Sequence, residues 1–90
     1  MLFALIGFLK PGVQIPQDVN IQTGEFVQQP FIDIHSFGPL CDENGQRAGM
    51  MMVFEVDDRA RAQAFVENSP FVKAGLFDSH NLYEYRNEGG

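Results

Sequence analysis

Hydrophobic positions along the chain cluster rather than spread. Leu2-Phe3-Ala4-Leu5-Ile6-Gly7-Phe8-Leu9 contains no polar side chain and closes at Lys10-Pro11-Gly12. That pattern predicts a first strand covered on both faces and ended by a turn. Met50-Met51-Met52-Val53-Phe54-Glu55-Val56 is nearly as continuous and predicts a third strand, whose methionines are adaptable core filler rather than ligands. Between them, Phe31 to Phe37 alternates, with Phe31, Asp33, His35 and Phe37 on one face and Ile32, Ile34 and Ser36 on the other. This reads as a second strand, ended by Gly38-Pro39. A fourth strand is expected from Leu76 to Arg86, and the two apolar runs belong at the sheet centre.

The segments between these runs read as helices and one hairpin. From Val13 to Gln29, Val19, Phe26 and Val27 form a partial stripe and Pro16 suits a first helical position, but Thr23-Gly24 interrupts. The expectation is a short or broken helix stopped by Pro30. Asp42 to Arg47 carries Asn44-Gly45, a dipeptide that favours a hairpin turn. Asp57 or Asp58 can cap a helix with Ala60, Ala62, Phe65 and Val66 inward, running to about Asn68. Ser69-Pro70-Phe71-Val72-Lys73-Ala74-Gly75 then predicts a second helical turn, with Ser69 as N-cap and Gly75 just past its end.

The order is strand, helix, strand, hairpin, strand, helix, strand. It predicts an α+β, ferredoxin-like split βαβ domain over residues 1–90: a four-stranded antiparallel sheet of order 4-1-3-2 with helices on one face. The second face has no cover of its own, which calls for a homodimer or a higher assembly.

Composition narrows the function classes. Ninety residues suit one domain, and a domain of this size has a marginal core unless a partner adds to it. The chain is 44% hydrophobic with nine Phe and no Trp, which predicts a Phe-rich core. A formal net charge of −6 argues against nucleic acid or an anionic membrane as partner. Leu2 to Leu9 is too short to span a bilayer and lacks the basic flank of a signal peptide. Cys41 is the single cysteine, and CxxC and CxxH pairs are absent. Neither a disulfide nor a zinc module is expected, and a reducing cytoplasm fits best. Asp42 and Glu43 beside Cys41 give no reason for an activated thiol.

Phe37-Gly38-Pro39-Leu40, Ala48-Gly49-Met50, Phe54-Glu55-Val56-Asp57, Ala62-Gln63-Ala64-Phe65 and Ser69 to Phe77 together resemble the YciI-like (YCII-related) family. The resemblance covers the first strand and residues 31–86. It implies a dimeric α+β barrel of ferredoxin-like subunits with a cleft for small-molecule chemistry. It also implies a catalytic pair, a His in the first helix and an Asp immediately before the Pro of an Asp-Pro block. The chain departs from both: Gln14 to Gln29 holds no His, and Ser69 stands where the Asp would be. A hydroxyl cannot stabilise an imidazolium as a carboxylate does.

The remaining chemistry centres on His35. Asp33 shares its strand face at a spacing of about 7 Å, so His35 is a candidate acid/base in a pocket between the sheet and the Ser69-Pro70 turn, tuned by Asp33, with Ser69 donating a hydrogen bond to a ligand; the alternative is a polar dimer seam. Asp33, His35, Asp78 and His80 would make a metal site only if opposite sheet edges met, so no metal is expected. No phosphate loop or Ser-His-Asp arrangement is present, and no cofactor is expected. Two functions stay open. One is a small-molecule enzyme performing proton-transfer or elimination chemistry in a cleft; the other is a non-catalytic ligand-binding or assembly module that has lost the His/Asp pair.

Overall fold

The computed structural model describes residues 1–30 and 32–89. β1 (Leu2–Leu9) and β3 (Arg47–Glu55) pair antiparallel at the centre. β2 (Asp33–Cys41) pairs with β3, and β4 (Phe77–Tyr85) pairs with β1, so the sheet order is β2-β3-β1-β4. The two apolar runs are thus the inner strands, and the subunit is the ferredoxin-like fold expected from the element order. Helices α1 (Gln17–Phe26), α2 (Arg59–Glu67) and α3 (Pro70–Lys73) complete it. Among the described residues no helix is long and apolar enough to cross a membrane.

Four features differ from expectation, each for a physical reason. α1 is one unbroken helix, and Pro16 is its N-cap rather than its first residue. Thr23 does not interrupt it because its hydroxyl donates to the Val19 carbonyl at 2.8 Å, which lets the residue sit buried on the inner face. β2 does not stop at Gly38-Pro39 but continues to Cys41. As an edge strand it needs ladder donors on one side only, so a proline is tolerated. β3 begins at Arg47 rather than Met50 because the turn before it is tight: the Asp42 carboxylate accepts from the Asn44 and Gln46 amides, both at 2.9 Å, and Gly45 takes φ 78°. Phe31, expected to open the second strand, lies outside the described residues.

The fourth difference bears on the site. Ile34 pairs with Phe54 and Ser36 with Val53, so His35 is an extra residue in the ladder, a β-bulge. Beyond it the alternation of β2 changes phase. Phe37 therefore pairs with Met52 of the inner face instead of continuing the face of Asp33.

Capping follows the sequence in part. The Asp58 carboxylate accepts from the Arg61 amide at 2.8 Å and opens α2. Ser69 occupies the N-cap of α3, but its hydroxyl makes no capping bond. The inner face holds the core, where Phe3, Leu5, Met52 and Phe54 are fully buried. The Phe26 and Phe65 rings stack at 4.4 Å and join α1 to α2, and Phe54 meets Phe65 at 4.9 Å.

Gly49 lets β3 lie close against β1. A Cβ there would run into the Gly7 carbonyl of β1. A main-chain obstacle cannot rotate away, so Gly49→Ala is expected to cost about 1–3 kcal/mol as an overpacking change. Urea denaturation checks this, and an unchanged midpoint would mean that the two central strands can spread freely at this point.

Candidate functional site

Strand alternation sends every second side chain of the sheet away from the helices. On that open face, register aligns Asp33, Glu55, Leu2 and Tyr85 in one row and Ser36, Val53, Ala4 and Tyr83 in the next. The middle of the face is aliphatic, the β4 edge is aromatic and the β2 edge is ionic. Tyr83 is 52% exposed and Phe8 50%, which is a large apolar area to leave in water.

The ionic edge is built around the bulge. His35 Nε2 lies 3.1 Å from Glu55 Oε1 and 3.4 Å from Asp33 Oδ2. One imidazole nitrogen is thus shared between two carboxylates. All three side chains are solvent-accessible, so the contacts add little to stability. They leave an oriented imidazole with an acidic partner on two sides. One donor atom from each residue falls within 4.8 Å of the others, so this is also the group that could hold a cation.

Of the three residues singled out in the sequence, the structure brings Asp33 and His35 together and places Ser69 apart. Ser69 is buried, opens α3 and carries its neighbour Phe71 into the inner core. The sheet separates it from His35, whose partner Glu55 is one residue out of phase with the inward Phe54. Glu55 is the member that sequence reasoning missed. Its signal was present as the one charge in the apolar run Met50 to Val56, but its position opposite Asp33 depends on the hairpin register. His80 lies on β4 at the other sheet edge, its ring 5.7 Å from Phe77, so the four-residue grouping with Asp78 does not form within the subunit.

Two hollows adjoin this end of the molecule. One, of about 540 Å³, is lined by Asp33, Glu55, Ile32, Asp57 and Arg61 among others. The second, of about 580 Å³, lies between α1 and α2 over Phe26, Phe65 and Asn68, and shares Ile32 and Arg61 with the first. The Arg61 guanidinium is paired with Asp57 at 3.6 Å.

A family model for the YCII-related domain matches residues 3–86. The chain belongs to the YCII-related family. Within known structures, this YCII-related chain is similar to 5-chloro-2-hydroxyhydroquinone dehydrochlorinase (TftG) from Burkholderia phenoliruptrix AC1100, solved in complex with 2,5-dihydroxybenzoquinone. The two are 26% identical over 96% of this chain and 94% of that one, with a TM-score of 0.81. A candidate antibiotic biosynthesis monooxygenase from Chloroflexus aurantiacus J-10-fl matches at 16% identity over 100% of this chain and 98% of that one, with a TM-score of 0.49. No curated protein matches the chain.

Proposed function

We propose that this protein is a small-molecule enzyme that performs proton-transfer or elimination chemistry on an oxygenated aromatic ring, with His35 as the acid/base. The observation that carries the reading is the shared nitrogen: His35 Nε2 stands 3.1 Å from Glu55 and 3.4 Å from Asp33. When the imidazole takes a proton, both carboxylates face the charge it acquires, which is what general base catalysis asks of its surroundings. The substrate class is supported by the likeness to a dehydrochlorinase over nearly the full chain. Loss of HCl from a chlorinated hydroxyhydroquinone moves one hydroxyl proton onto the chlorine-bearing ring carbon, leaving a ketone, and removes a second hydroxyl proton as the C–Cl bond breaks and chloride leaves. The product is a quinone, so no external oxidant is consumed.

The site works in an assembly. The open face is apolar at its centre, and a second copy laid against it would close a barrel whose rim carries the Asp33, His35 and Glu55 group. A single free cysteine, exposed at Cys41, is in keeping with a reducing, cytoplasmic setting, and the negative charge with a protein that avoids nucleic acid. Light scattering at micromolar concentration is expected to give about twice the chain mass of 10.1 kDa. A stable monomer would remove the enclosed cleft.

Chloride release from 5-chloro-2-hydroxyhydroquinone tests the reaction. Release above the uncatalysed rate is expected. Binding of the compound without release would favour the non-catalytic ligand-binding module, a reading consistent with the absence of His from Gln14 to Gln29 and with Ser69 before Pro70.

A further inference from the structure

We infer that Asp33, His35 and Glu55 form a binding site for one divalent first-row transition cation. The strand register makes the case. Asp33 lies directly opposite Glu55, and like charges in directly opposed positions destabilise an antiparallel pair. Among the described residues no Lys or Arg is ion-paired with either carboxylate, since Arg61 in the adjoining hollow is taken by Asp57. The bulge at His35 instead brings an imidazole nitrogen to both. The resulting donor set is one nitrogen and two carboxylate oxygens within 4.8 Å of one another.

That set selects the class of ion. Ca²⁺ and Mg²⁺ favour oxygen ligands throughout, while imidazole with carboxylate suits the series from Mn²⁺ to Zn²⁺. Three protein donors leave coordination positions open, as catalytic rather than structural metal sites do, and the hollow of about 540 Å³ borders two of the three residues. Cation binding does not depend on the proposed turnover. It competes with it, because Nε2 cannot hold a proton and a metal at once, so a saturating cation silences His35 as an acid/base.

Isothermal titration of Zn²⁺, and separately of Mn²⁺, into the assembled protein tests the site. One ion per chain is expected, with affinity reduced at least tenfold in His35→Ala and in Glu55→Gln, a loss no smaller than that seen when an outer partner of a metal ligand is removed. His80→Gln, at the opposite sheet edge, is expected to bind as the parent does. Absence of saturable binding, binding that survives His35→Ala, or binding abolished by His80→Gln would overturn the site. Paramagnetic broadening by Mn²⁺ in the unaltered protein gives a readout independent of folding in the variants. It should centre on the Asp33, His35 and Glu55 resonances, and broadening centred elsewhere would likewise overturn it.

Discussion

His35→Gln is expected to lower turnover of a hydroxylated aromatic substrate by about two to four orders of magnitude, the usual contribution of a positioned acid/base, while leaving the fold and ligand binding in place. The fold should survive because the imidazole is 43% exposed and its two contacts are to carboxylates that are themselves half or more in water. Glutamine keeps a donor for Glu55 and roughly the same bulk, so what disappears is the ability to take up and release a proton. Steady-state assay of chloride release beside circular dichroism separates the two effects. If turnover is unchanged in a folded variant, His35 is not the acid/base and the ionic edge of the sheet serves binding or assembly.

Phe54→Ala should give the largest stability loss in the molecule, about 3–5 kcal/mol. Phe54 is fully buried, sits opposite both Phe3 and Ile34 in the central pairing, and meets the rings of Phe3 and Phe65 at 6.2 and 4.9 Å. Truncation empties the point where β1, β3 and α2 converge, and inward side chains on a hydrogen-bonded sheet cannot move far to refill it. Small domains are stable by about 5–15 kcal/mol in total, so the loss is a large fraction of the whole. It should appear as a lower urea midpoint with the slope retained. A loss below about 1 kcal/mol would show that the core collapses readily around the cavity.

The legible parts of this sequence were those governed by local pattern. Leu2 to Leu9 and Met50 to Val56 are apolar at successive positions, and only a strand covered on both sides, or a central one awaiting a partner, uses such a run. Asn44-Gly45 marked the hairpin and Ser69-Pro70 with Gly75 bracketed the short helix, because those residues have few other places to go. What escaped depended on partners distant in sequence. The bulge at His35 exists only relative to β3, and alternation alone put Phe37 on the wrong face. Gly38-Pro39 reads as a stop unless the strand is known to lie at an edge. Thr23 reads as a break unless its hydroxyl can return to Val19. The same limit applied to the site: Asp33 and His35 are two residues apart and were visible together, whereas Glu55 joins them across the β2 and β3 pairing.

The place of the ligand decides the matter most directly. Titration of 2,5-dihydroxybenzoquinone into isotope-labelled protein, followed by amide and imidazole resonances, should shift Asp33, His35 and Glu55 first, together with their open-face neighbours Ser36 and Val53. Shifts confined to Phe26, Phe65 and Asn68 between the helices, or no saturable shift at any residue, would contradict a site on the open face of the sheet.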